Sequence, residues 1–468
     1  MGERESELYI HIPFCVRKCK YCDFLSAPAD AQVQNAYMEA LLEEVRESAD
    51  DIGVPALREN GRGTWENAVR PGQDKVTSIY IGGGTPSVVE PVWMEKLMAC
   101  IREHYRVAEQ AEITIEVNPG TVTRESLMRY RHAGINRLSI GCQSTDDKEL
   151  ARIGRIHTFA QFRDTYRWAR EAGFTNVNVD LMNALPGQIM ADVERNLERI
   201  LGLDPGPEHL SVYSLIVEEG TPFYRMWENG EFEAKGMELP DEEQERAMYW
   251  RTAELLRSYG YAHYEISNFA KPGYESRHNS GYWQRRDYLG FGLGAASLYE
   301  NTRFSNTGNL HEYLSYWGNR RAEAAWARGA AKTEKAASER GAPGSEETAG
   351  YRSDRRNERT EEQDIERIRV QVEELSVQDA MEETMFLGLR MAEGVSAAAF
   401  RERFGCGPET VYGEELRESI QEGLLERKES AAGGENGKGI SEGDVRYVLT
   451  KRGVDVSNYV MAKFLRDT

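Results

Sequence analysis

The chain has 468 residues, 40% of them apolar, with 78 acidic against 58 basic residues and a formal net charge of −20. At roughly 150 residues per domain this leaves room for about three domain-sized units, or one large α/β domain with appendages. The negative field repels phosphate backbones and anionic lipid surfaces, which argues against nucleic acid as a main partner; no run of about 18 consecutive apolar residues encodes a spanning helix.

Met1 to Glu7 carries Glu and Arg where a secretory signal has a basic stretch and an apolar core, so a cytoplasmic protein is expected. A first strand is predicted over Leu8 to Ile12 and runs into a loop with three cysteines, followed by a helix over Tyr37 to Ala49. The alternation continues with strand Ser78 to Ile81 and helix Trp93 to His104, then strand Glu112 to Val117 and helix Arg124 to Ala133. Strand Arg137 to Ile140 precedes helix Phe159 to Ala172, and strand Asn176 to Leu181 precedes helix Met190 to Leu201, before a sixth strand over His209 to Tyr213. Strands alternating with helices are the pattern of parallel βα units. A closed or partial (βα) barrel and a doubly wound sheet share it, and in both the ligands gather at the C-terminal strand ends.

Three stretches read as insertions or linkers: Asp51 to Gln73, Asn319 to about Gln371, and Ser430 to Gly443. The second is crowded with Ala, Glu, Arg, Ser and Gly, has few large apolar residues and is not expected to pack a core. Beyond it come helices over Ala380 to Met391, Ser396 to Phe404 and Val411 to Glu422, a turn at Gly423, and strands over Leu424 to Arg427 and Arg446 to Leu449. This resembles a small α+β winged-helix-like module, read here as a packing unit and not a DNA reader. The expected organisation is therefore 1–300, a 319–371 insertion, and a 375–468 module.

The strongest chemical signal is Cys15-Val16-Arg17-Lys18-Cys19-Lys20-Tyr21-Cys22, directly after the first strand. Three thiolates on one loop can face a single centre. Structural zinc wants four protein ligands, and no fourth Cys or His is near except His11 on the strand. A [4Fe–4S] cubane held by three thiolates leaves one iron open to a small molecule. Cys100, Cys142 and Cys406 are isolated and read as packing residues. A second motif, Gly82-Gly83-Gly84-Thr85-Pro86, follows the second strand; glycines there let backbone approach a ligand closely. A branched side chain at Gly84 is expected to block that ligand and leave a cluster intact.

With Tyr9-Ile10-His11-Ile12-Pro13-Phe14 ahead of the cysteines, these motifs resemble the radical S-adenosylmethionine superfamily. Within it they resemble the branch of oxygen-independent coproporphyrinogen III oxidases and HemW-type haem chaperones. The resemblance implies an α/β fold, a partial (βα)6 barrel, with a [4Fe–4S] cluster on Cys15, Cys19 and Cys22. Its open iron would be chelated by the amino and carboxylate groups of S-adenosylmethionine. The binding positions it implies are Tyr9, Gly83, Gly84, Thr85, Glu116, Gln143, Arg155 and Asp180; all lie at or just past strand ends except Tyr9, within the first strand, and Arg155, expected on a helix after the fourth. Leu185-Pro186-Gly187-Gln188 matches too and reads as a turn.

Two departures point away from the oxidases. Phe24 stands where they carry a fourth cysteine, and only eight residues precede Tyr9 where they have an N-terminal extension. His278-Asn279-Ser280-Gly281-Tyr282-Trp283 matches the H-N-x-x-Y-W motif of the chaperone group. The resemblance thus implies a haem chaperone that delivers haem to an acceptor protein, with no catalytic residue assigned. His278 is expected as haem ligand or neighbour, with His11, His263 and His311 as substitutes; the alternative is a structural loop with Trp283 packed against the C-terminal module. Rival functions are a coproporphyrinogen III oxidase and a zinc-stabilised nucleic-acid-binding scaffold.

Overall fold

The computed structural model describes residues 3–52, 54, 70–321, 368–429 and 444–466. Six strands, β1 (Glu5–Ile12), β2 (Lys75–Gly83), β3 (Arg106–Val117), β4 (Arg137–Gln143), β5 (Val177–Asn183) and β6 (His209–Ser214), pair in parallel in chain order. The order never reverses, so there is no topological switch point and the doubly wound alternative falls: each right-handed crossover steps the same way, as in a partial (βα)6 barrel. The helices between them are Ala31–Ser48, Pro91–His104, Arg124–His132, Phe159–Glu171 and Met190–Leu201; the last four lie close to the expected spans, and the first begins six residues before the expected Tyr37. Thr123, Thr158 and Asp30 cap three of them by accepting from backbone N–H groups of the first turn.

Away from the register shifts the strands alternate. Leu8, Ile10 and Ile12, with Ile79, Ile81, Ile113 and Ile115, share one buried core with Met38, Leu41, Met94, Leu97 and Ile101 of the covering helices. The alternate positions are polar and line the barrel interior: Glu7, Ser78, Glu112 and Arg137 low, Tyr9, Tyr80, Ser139 and Asn178 above them. Hydrogen bonds satisfy much of this interior: Asn178 Nδ2 donates to Ser139 Oγ at 2.8 Å, and His209 Nδ1 meets Asn178 Oδ1 at 2.7 Å.

The sheet extends beyond the six strands on both sides. Strand β8 (Asn268–Ala270) adds antiparallel to β6, and β7 (Ala262–Glu265) antiparallel to β8 at the edge, while β9 (Tyr288–Phe291) pairs in parallel with β1 and leads to antiparallel β10 (Ala296–Tyr299), β11 (Thr302–Asn306) and β12 (Arg369–Glu374). Most of the supposed 319–371 linker lies outside the described residues, but its ends are ordered. A helix covers 310–321, and buried Arg369 donates to Glu44 Oε1 at 2.7 Å and Ser48 Oγ at 3.1 Å. Residues 430–443 also lie outside the described residues, as do most of 51–73.

The C-terminal module has its own core around Phe400, Tyr412, Leu416, Tyr447 and Phe464. Helices Val377–Gly388, Ala397–Phe404 and Gly413–Gln421 surround a sheet of β13 (Val395–Ser396), β14 (Leu425–Glu429) and β15 (Val445–Leu449), in the order β13-β15-β14. Two boundaries differ from the sequence reading. Buried Tyr412, at φ −120° and ψ 28°, breaks the expected Val411–Glu422 helix, and the first helix stops at Gly388, where the next residues turn so that Ala392 N–H can bond Tyr264 O at 2.9 Å. The module is anchored on the barrel by buried Arg285, whose Nε donates to Glu383 Oε2 at 2.5 Å.

Candidate functional site

The loop after β1 carries Cys15, Cys19 and Cys22 across the C-terminal mouth of the barrel, each free and half-buried. All three line one cavity together with Gly83, Gly84, Thr85, Glu116, Gln143, Arg155 and Asp180, so ten of the twelve positions proposed from sequence meet there. Tyr9 does not reach it: its hydroxyl bonds His11 Nδ1 at 3.0 Å and its ring lies on Tyr80, one layer lower. Arg155 lies in the loop after the short helix Asp147–Arg152 and not on the helix.

Gly83 and Gly84 are small for a reason inside the protein. A Cβ on Gly84 would lie 2.6 Å from Phe14 O, and Gly83, at φ +109°, faces the His11 ring at 2.7 Å. The close approach is to the end of β1, held by Gly84 N–H bonding Ile12 O at 2.9 Å. It brings Thr85 Oγ1 to 3.5 Å from Cys15 Sγ.

The walls combine buried charges of both signs. Burial, reinforced by the nearby Asp180 charge, raises the Glu116 carboxyl to about 7 against the opposing hydrogen bond from Tyr80 OH, 2.8 Å away. Burial also raises Asp180, against donors that include Asn178 Nδ2 at 2.7 Å and Ser139 Oγ at 3.1 Å. Arg155 is buried as well, which works against its charge, but Tyr21 and the Cys19 thiol keep it cationic; Nη2 donates to Gly141 O at 2.6 Å and Asn118 Oδ1 at 2.5 Å, and Nη1 lies 3.8 Å from Cys19 Sγ. Burial raises the Cys22 thiol, with Lys18 among the charges working against it. The cavity thus offers two crowded carboxyls to a cation and one guanidinium to a carboxylate, a set matched to a zwitterion with a further positive charge.

Gln143 has the left-handed φ of 66° at a register shift between β4 and β5, and its Oε1 accepts from Tyr213 OH at 3.0 Å. Tyr213, Asn118, Ser139 and Tyr80 were missed from sequence. Asn118, whose Nδ2 donates to Thr85 Oγ1 at 2.8 Å, stands just past β3 and was recoverable from the strand-end rule. The donor set fits an iron–sulfur cluster better than zinc. Both His11 nitrogens are engaged, Nε2 by Leu25 O and Nδ1 by Tyr9 OH, each at 3.0 Å, so His11 does not serve as the fourth protein ligand that structural zinc wants.

His278 lies away from the cavity. The helix Arg277–Trp283 closes the lower end of the barrel, with Glu112 Oε1 accepting from Arg277 N–H at 3.0 Å. The His278 ring stacks on Tyr80; Nδ1 meets Ser78 Oγ at 2.8 Å and Nε2 meets Tyr282 OH at 3.0 Å. Burial pushes its pKa down to about 3. Ligation of iron would require this ring to shed its partners and leave the core. Gly281 is required where it stands, because a Cβ would meet the Glu7 carboxylate at 2.1 Å. Trp283 packs with Tyr264 and Met391 at the junction with the C-terminal module, under the guanidinium of Arg390 at 4.3 Å.

Glu7 is buried with its Oε2 3.6 Å from His278 Nδ1, and burial, with the nearby Glu112 charge, raises its carboxyl to about 8 although Arg286 and Ser78 oppose this. The folded state therefore holds a proton that the unfolded chain releases near pH 4.5, so Glu7 subtracts stability as pH rises from there to about 8. Glu7→Gln is expected to gain on the parent across that window, by a few kcal/mol on the scale of roughly 1.4 per pH unit. Urea midpoints at pH 5 and pH 8.5 check this; an equal difference at both sinks it.

Residues 9–200 match the model of the "Radical SAM superfamily", and residues 375–431 that of the "HemN C-terminal domain". The chain is 32% identical over 467 residues to "Heme chaperone HemW" of Lactococcus lactis, covering 100% of this chain and 99% of that one. It is 34% identical over 424 residues to "Heme chaperone HemW" of Bacillus subtilis, covering 90% and 93%. Among solved structures, coproporphyrinogen III oxidase (HemN) from Escherichia coli superposes with a TM-score of 0.68 at 20% identity, covering 99% of this chain and 90% of that one, a likeness of fold. Among the described residues no helix is long and apolar enough to cross a membrane.

Proposed function

Since the chain belongs to the HemW family of radical S-adenosylmethionine proteins, we propose that it is a haem chaperone, binding haem and passing it to an acceptor protein. The observation that carries the cofactor part is the single cavity joining three free thiols to the Gly83–Thr85 turn and to Glu116, Gln143, Arg155 and Asp180. Cys15, Cys19 and Cys22 would hold a [4Fe–4S] cluster with one iron left open, and the amino and carboxylate groups of S-adenosylmethionine would chelate that iron. Arg155 then pairs with the carboxylate, and Glu116 and Asp180 accept from ammonium or ribose hydroxyls. Tyr80 fixes Glu116 from below, and His278, stacked on Tyr80, supports it.

Phe24 occupies the position of the oxidases' fourth cysteine and is exposed at the mouth, which supports the chaperone over the decarboxylating enzyme. In the C-terminal module the third helix carries Glu414, Glu415 and Glu418, a poor face for phosphate and a further argument against the nucleic-acid scaffold. The test is anaerobic reconstitution, then a coproporphyrinogen III decarboxylation assay beside a haem titration. Haem binding without decarboxylation is expected. Accumulation of protoporphyrinogen moves the protein to the oxidases.

A further inference from the structure

Apolar side chains are exposed in the loops after the strand C-termini: Val16, Phe24 and Leu25 after β1, Ile156 after β4, Ile189 after β5 and Ile216 after β6, from 44% to 69% exposed, and Val16, Phe24 and Ile156 line the mouth cavity. Isolated exposed apolar residues need no explanation, but six of them at one end of the barrel make an apolar collar. Phe24 and Leu25 are adjacent and lie on the flank toward β9. The Leu25 tip reaches across the next turn: a Cβ built on Gly308 would lie 3.7 Å from Leu25 Cδ2. Three residues further on, in the first turn of the 310–321 helix, stands His311, fixed by Asn309 Oδ1 accepting from its backbone N–H at 3.0 Å.

Of the eight histidines, His311 is exposed and stands three residues past Gly308, which the Leu25 tip approaches. His11, His209 and His278 have both ring nitrogens engaged, and Nε2 of His157 and of His263 is bonded within the core. His104 and His132 give Nδ1 to carbonyls of their own helices, away from the mouth. The His311 ring has no hydrogen-bond partner among the described residues. Exposed Lys18 supplies positive charge beside Cys22, two residues before Phe24.

Resting on the haem-chaperone reading, we propose that haem docks on the outer rim of the barrel mouth, its porphyrin face against Phe24 and Leu25, its iron ligated by His311 and a propionate carboxylate toward Lys18. A planar apolar ring with a carboxylate edge and a metal seeking one imidazole matches an apolar pair, a cation and a free ring nitrogen on one surface. The rim is open to solvent, which suits a cargo that must leave for an acceptor.

The test titrates haem into the reconstituted full-length protein and into its His311→Ala and Leu25→Asp variants, following the Soret band; neither residue lines the cofactor cavity. Both variants are expected to lose at least about tenfold in haem affinity, ~1.4 kcal/mol, with cluster content and S-adenosylmethionine binding at parental levels. The His311→Ala band should shift and return toward that of the parent when free imidazole is added, a rescue that a merely structural role would not give. An unchanged Soret maximum and affinity in His311→Ala overturns the ligand assignment. Unchanged affinity in Leu25→Asp overturns the docking surface, leaving the collar to a protein partner. A parent that takes up no haem refutes the chaperone reading itself, a result distinct from either.

Discussion

Replacing Cys19 by Ala is expected to abolish the proposed iron–sulfur cluster: after anaerobic reconstitution the variant should hold no iron or sulfide above background, while the parent should hold a full complement. Among the described residues Cys15, Cys19 and Cys22 are the only thiols lining the mouth cavity, and His11, committed to Tyr9 OH and Leu25 O, cannot stand in. With two thiolates left, two irons of a cubane lack a protein ligand. The fold should survive. Cys19 is only half-buried, and Arg155, 3.8 Å from its sulfur, keeps Asn118 Oδ1 and Gly141 O as partners. Iron and sulfide content, with a thermal melt, checks the result. A full complement in the variant, or stoichiometric zinc in the parent, removes the assignment.

Substituting Gly84 by Val is expected to reduce cluster retention and S-adenosylmethionine affinity together, the latter by at least about tenfold, ~1.4 kcal/mol. Sequence alone suggests that a branched side chain here spares the cluster. The structure couples the two, because the added Cβ meets Phe14 O at 2.6 Å and Phe14 N at 3.0 Å, and Phe14 adjoins Cys15. Relief requires moving the end of β1 or the Gly83–Thr85 turn, and overpacking of this kind costs typically about 1–3 kcal/mol. Either movement disturbs Cys15 Sγ opposite Thr85 Oγ1. Gly413→Ala, where an added Cβ meets nothing within 4 Å, is the control and should leave both readouts alone. A Gly84→Val protein with a full cluster and abolished ligand binding would restore the simpler reading of the glycine as a ligand contact.

What the sequence determined by itself is local and periodic. Alternation of period 2 and 3.6 located β1 to β6 and their covering helices, because each strand presents one apolar face to helices such as Ala31–Ser48 and Pro91–His104. The cysteine spacing and the glycine run were legible because close spacing in the chain forces closeness in space. Register and winding were not legible. Only the tertiary structure showed that the strand order never reverses, and that the polar face of each strand, from Glu7 to Asn178, turns inward to a hydrogen-bonded barrel interior. It also decided the fate of single polar residues. His278 and Arg369 look in sequence like a motif ligand and part of a charged tract, yet both are buried, one on Ser78 and Tyr282, the other on Glu44 and Ser48. The physical reason is that a side chain's role depends on which polar groups reach it across 200 or more residues of chain, and pairs such as His278 with Ser78 leave no periodic trace.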